Sequence, residues 1–130
     1  MANTITTVKL QDNAKWAIVK YNLVSDGTEE AASIVFNASD YTGGGTTSTS
    51  LSINKLWATL NGASQAQLFF DATANLPAWA LEEGTTVLDF SDVGGIPNPT
   101  GAGKTGDILI TTLGLAAGDG ISIILKLKKK

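Results

Sequence analysis

An all-β fold, a two-sheet sandwich of about eight strands and of jelly-roll type, is what this sequence predicts. Three observations point to it. Apolar residues recur mostly at spacing two, β-branched residues crowd the apolar segments, and Gly, Asn, Asp, Ser and Thr cluster between them. At 130 residues and 43% apolar composition, one domain over 1–130 accounts for the length, with a short N-terminal arm at about 1–4 and a lysine-rich end at 126–130.

The elements follow in order. Thr4 to Leu10, Lys15 to Leu23 and Ala31 to Phe36 read as strands separated by Gln11-Asp12-Asn13 and by Ser25-Asp26-Gly27-Thr28. Leu51 to Leu60 is a strand with Ile53 and Trp57 on one face and Leu56, Ala58 and Leu60 on the other. Gln65 to Phe70 follows it after a turn at Asn61-Gly62. Thr85 to Phe90 and Gly106 to Leu113 are two more. The clearest is the last, Gly120 to Lys128, with Ile121, Ile123, Leu125 and Leu127 inward and Ser122, Ile124, Lys126 and Lys128 outward. Ile124 on the wetter face implies partial cover there. No stretch reads as an amphipathic helix, and eight short strands favour a sandwich or jelly roll, which bury two apolar faces in one domain. Asp40 to Ser50, with Gly43-Gly44-Gly45 and a Thr/Ser run, reads as a surface loop, and Asp92 to Lys104 as a long excursion between strands.

Composition narrows the chemistry. The chain has no histidine and no cysteine, so imidazole bases, the Ser-His-Asp triad, thiolate nucleophiles and the usual zinc ligands are missing. No catalytic residue, metal site or cofactor is expected, and the chain reads as a non-enzyme with no small-molecule substrate. All nine cationic side chains are lysines, so no arginine fork is available for phosphate or guanine, and the net charge of −3 gives no attraction to nucleic acid or an anionic membrane. Met1-Ala2-Asn3-Thr4 lacks the features of a secretory signal and no apolar run is long enough to span a bilayer, so the protein is expected to be made in the cytosol and to stay soluble. The cluster Lys126, Lys128, Lys129 and Lys130 reads as a solubilising, fraying end that blunts a strand edge.

Three motifs invite a sharper reading. Gly101-Ala102-Gly103-Lys104-Thr105 looks like the end of a phosphate-binding loop, but Asn98 stands where the first glycine is needed and a strand-like run follows where a helix should start. Asp89 with Asp92, and Glu82 with Glu83, lack the spacing of a calcium loop and read as solvated turn residues. Trp16 and Trp57 fall inside strands, whereas Trp79 follows Leu76-Pro77-Ala78 in a segment between strands. There an aromatic ring serves either as a partner contact or as a plug at the sandwich end. The candidate contact surface combines Leu76, Pro77, Trp79 and Leu81 with Ile96 and Pro97, because apolar residues on proline-stiffened loops lose less entropy on docking.

Met-Ala-Asn-Thr-Ile-Thr-Thr, the run Leu68-Phe69-Phe70-Asp71-Ala72-Thr73 through Pro77-Ala78-Trp79, and Asp89-Phe90-Ser91-Asp92-Val93-Gly94-Gly95-Ile96 leading into Gly101 to Ile108 resemble small structural proteins of tailed bacteriophages. The resemblance implies a capsid decoration (cement) protein. Such a protein would be a β-sandwich or jelly roll, oligomeric with a trimer favoured, and would sit on the virion surface against the major capsid protein. The competing expectation is a carbohydrate-binding jelly roll of a phage fibre or adsorption apparatus, with Trp79 as a stacking platform.

Overall fold

The computed structural model describes residues 3–41, 51–97 and 105–129. Eight strands appear among them: β1 (Thr4–Asp12), β2 (Trp16–Asp26), β3 (Ser33–Phe36), β4 (Ser52–Phe70), β5 (Leu76–Asp89), β6 (Ile96–Pro97), β7 (Ile108–Leu113) and β8 (Ala117–Lys128). Two single 3₁₀ turns lie at Ala38–Asp40 and Ser91–Val93. All pairings are antiparallel.

The long strands β4 and β5 set the architecture. β4 pairs with β8 over residues 52–61 and then with β7 over residues 65–70, while its other edge pairs with β6 at Ser52 and Ile53 and with β5 from Lys55 onward. Each half of the β4–β5 hairpin therefore belongs to a different sheet. The first sheet is β2, β8, the first half of β4 and the second half of β5. The second is β3, β7, the second half of β4 and the first half of β5. The first sandwich strand lies beside the last, and consecutive segments alternate between sheets except at the β4–β5 turn, whose two arms pair within the second sheet; this is jelly-roll connectivity. β1 adds an outer strand to β2.

The predicted turn at Asn61-Gly62 is a bend inside one strand. Leu60 pairs with Gly84 and Gln65 with Glu82, so four residues of β4 stand opposite one of β5, and the hairpin turns the corner there. Gly62 and Gly84 both have positive φ (92° and 110°), and a β-carbon on Gly62 would collide with the Asp119 carboxylate. The predicted loop from Leu76 to Leu81 is likewise strand. Pro77 reads as a strand breaker, but among the described residues β5 pairs with β4 alone and is an edge strand, where a missing N–H breaks no ladder.

One face assignment is corrected. The register shifts between Ile53 and Lys55, leaving Asn54 as an extra residue, so Ile53 joins Leu56, Ala58 and Leu60 in the core while Trp57 turns outward. Elsewhere the alternation holds: Ala17, Val19, Tyr21 and Leu23 of β2 meet Ile121, Ile123, Leu125 and Leu127 of β8 in one continuous core. That core also takes Leu68 and Phe70 of β4, Leu81 of β5 and Ile108 and Ile110 of β7.

The terminal lysines are not all solvated. Lys126 and Lys128 lie in β8, but Lys129 is buried and its Nζ reaches the Asp12 carboxylate at 2.6 Å, while its N–H donates to the Lys15 carbonyl at 2.8 Å. This ties the last strand to the β1–β2 turn, where Asn13 Oδ1 accepts from the N–H groups of Lys15 and Trp16. Of the two predicted irregular stretches, 42–50 and 98–104 lie outside the described residues. The described parts hold the 3₁₀ turns, β6 and a buried Tyr41.

Candidate interaction surfaces

The predicted contact residues fall in two segments that Phe90 brings together. The Trp79 ring packs 5.1 Å from that of Phe90, and the Phe90 backbone bonds to Asn54 and Gly95, next to β6. Their exposures differ. Leu81, opposite Ala66 on the inner face, is 1% exposed and is core, which removes it from any contact surface. Trp79 lies opposite buried Leu68, so its ring rises on the core side and covers the end of the sandwich beside Phe90 while remaining 36% exposed. Leu76 and Pro77 are exposed, Ile96 is half-buried against the core and Pro97 is exposed.

The outer faces of the two sheets lie largely outside the segments that the sequence singles out as contacts. Directly opposed residues on antiparallel strands point the same way, so the registers can be read across. On the first sheet, Val8, Lys20, Ile124, Trp57 and Val87 form one row over five strands. Val87 is 62% exposed, and Trp57 and Ile124 are half-buried, walling a depression of about 280 Å³. On one flank the polar groups bond to each other: Ser122 Oγ donates to Asn22 Oδ1 at 2.7 Å, and the Thr59 and Thr85 hydroxyls lie 3.4 Å apart. The other flank carries Ile18, Lys126, Lys55 and Asp89, with Lys55 Nζ 3.6 Å from Asp89 and Lys126 Nζ 4.3 Å over the Trp16 ring. The one sequence signal for this surface was Ile124, an isoleucine on a face that otherwise turns wet.

The second sheet carries its own row. Ile34, Leu109, Phe69 and Pro77 lie in register across four strands, beside Thr111, Gln67 and Ala80 and then Leu113, Gln65 and Glu82. Between the free edges of the two sheets opens a cleft of about 540 Å³ bordered by Thr7 and Lys9 of β1, Ile34 and Val35 of β3, and Asp40 and Tyr41.

No chemistry-bearing constellation assembles among the described residues, where no group of three or more acidic side chains could hold a metal ion. Asp89 accepts from the Ser91 N–H at 2.9 Å, and hydrogen bonds from Ser91, aided by Lys55, hold its carboxyl below the usual range. The phosphate-loop likeness gains no helix. Residues 101–104 lie outside the described part, and Thr105 Oγ1 donates to Asp71 shortly before β7 begins. No helix of the described residues is long and apolar enough to cross a membrane.

No protein-family model matches the chain, and no curated protein matches it. Among solved structures it is similar to a cupin superfamily protein from Desulfitobacterium hafniense DCB-2, at 11% identity and a TM-score of 0.34, over 99% of this chain and 80% of that one.

Proposed function

We propose that this chain is a non-enzymatic virion structural protein of a tailed phage. It is a capsid decoration (cement) protein, made in the host cytoplasm, that binds the major capsid protein lattice at the capsid surface and acts as a homo-oligomer, with a trimer favoured. One observation carries the reading: both outer faces of the sandwich present apolar residues set in register, Val8, Ile124, Trp57 and Val87 with Lys20 among them on the first, and Ile34, Phe69 and Pro77 around a buried Leu109 on the second. A monomer gains nothing by exposing such rows, whereas a contact surface with an apolar centre and a polar rim is built this way. The phage-like phrases supply the setting, and a capsid lattice repeats the partner site so that modest single contacts add up through multivalency.

The test is co-sedimentation of purified protein with particles lacking it. Saturable binding at a fixed stoichiometry, with a rise in the particle's disruption temperature, is the expected result. Particles that take up none of it at micromolar concentration would remove the proposal.

A further inference from the structure

The two outer faces differ in charge as well as in position. The first-sheet row contains Lys20 and is flanked by Lys55, Lys126 and Lys128, while the acids in the sheet's registers are Asp12, bonded to Lys129, Asp26 opposite Ala117, and Asp89, engaged by Lys55. The second-sheet face has no lysine in any of its register positions and carries Glu82. Carboxylates border that second face at both ends. Glu29 accepts from the N–H groups of Gly114 and Leu115 just past the end of β7, and Asp71 and Asp107 are bonded to each other through their backbones where β7 begins. A chain of net charge −3 thus keeps a basic face on one sheet and an acidic, apolar-centred face on the other.

We infer that the lysine-flanked outer face of the first sheet docks on the acid-bordered outer face of the second sheet in another copy of this chain. Charge complementarity selects the pairing. First face on first face would set lysines against lysines, second on second would set carboxylates against carboxylates, and like charges in register disfavour both. The remaining combination places opposite charges around two apolar rows, Ile124 and Trp57 against Phe69 and Ile34. It is a heterologous contact, which uses a different patch on each partner and so grows into a ring or a chain. This inference rests on the reading that the protein works by binding, but its test needs no capsid.

Sedimentation velocity of the purified protein tests it across concentration at about 0.05 M and about 0.5 M salt, conditions that respectively retain and screen surface charge. The expected result is association at low salt that weakens at high salt. Lys20→Glu with Lys126→Glu removes the first face and Glu82→Lys with Ile34→Glu the second, and each double variant alone should associate at least about ten-fold more weakly. Mixed in equal amounts they should form a one-to-one complex and nothing larger, because one good pair of faces remains between them. A parent that stays monomeric, variants that associate like the parent, or a mixture that stays monomeric would each overturn the inference. Should a double variant fail to fold, amide shifts of the parent on dilution serve instead: they must move on both rows, and movement confined to one row refutes the contact. A parent that binds particles yet stays monomeric loses this inference and keeps the capsid reading. One that self-associates and ignores particles does the reverse.

Discussion

The two sides of the sandwich are closed by different means. On the β5 side the β4–β5 hairpin passes from one sheet to the other, its backbone ladder shifting register at the corner between Leu60 and Gln65 and resuming beyond it, and the Trp79–Phe90 pair packs against that side. On the opposite side the sheets end in separate edges, β1 and β3, and among the described residues side-chain contacts link them. Lys9 Nζ donates to the Asp40 carbonyl at 2.5 Å and sits 4.9 Å over the Tyr41 ring, Tyr41 packs 4.5 Å from Phe36, and Asn3 Nδ2 donates to Glu30 at 2.6 Å. A ladder shares its load over many equivalent bonds. A side-chain closure depends on single groups, and substitutions there should cost more.

The largest effect expected from this contrast is at Asp12, at the end of β1, whose charge is felt by Tyr41 in that closure. Asp12→Ala removes the carboxylate that lies 2.6 Å from the buried Lys129 ammonium, and removing one partner of a buried pair costs about 3–5 kcal/mol. Urea denaturation should show that loss, while Asp89→Ala, which breaks an ion pair exposed to water on the hairpin side, should barely move the midpoint. Equal effects would erase the distinction between the two sides. Next comes Trp79→Ala, which removes a ring about two-thirds covered and its contact with Phe90, for a loss of about 2 kcal/mol. An unchanged melting temperature would show that the ladder closes this side unaided and leave the ring free for a partner.

How much of this was legible in the sequence divides along the same line. Period-two runs such as Ile121 to Leu127 encode their facing directly, because alternate residues of a strand point to opposite sides, and the structure keeps every inward residue of that run buried. Bends and bulges are less legible, since they depend on what a neighbouring strand requires. Asn61-Gly62 has the composition of a turn, yet it lies within β4 as a corner, with Gly62 close against the Asp119 carboxylate. Asn54 reverses the facing of Trp57 through a single extra residue. Pro77 reads as a strand breaker unless the strand is known to be an edge. The candidate contacts suffered accordingly: Leu81 proved to be core, and the outer rows, which exist only once the registers align five strands, were invisible apart from Ile124.

The smaller effects concern two buried tyrosines. Tyr41 stands in the side-chain closure, where burial, with the charges of Asp12 and Asp40, pushes its hydroxyl up to about 12. The folded protein then holds this proton at a pH where the unfolded chain releases it, so the stability contribution is full below about pH 10 and lost as pH rises toward 12. Tyr41→Phe keeps the ring against Phe36 and should flatten that alkaline decline, and lysine titration, common to both proteins, cancels in the comparison. Tyr21 lies in the wall both sides share, fully buried, with no hydrogen-bond partner for its hydroxyl among the described residues, and burial, aided by the charge of Glu30, raises its pKa as well. Deleting a buried polar group that satisfies nothing leaves no partner orphaned, so Tyr21→Phe should be neutral or gain about 1 kcal/mol at neutral pH. Parallel urea titrations near pH 7 and between pH 10 and 12 separate the two: a loss of stability in Tyr21→Phe at pH 7 would mean that its hydroxyl is bonded after all, and that the shared wall depends on a single polar group as the open side does.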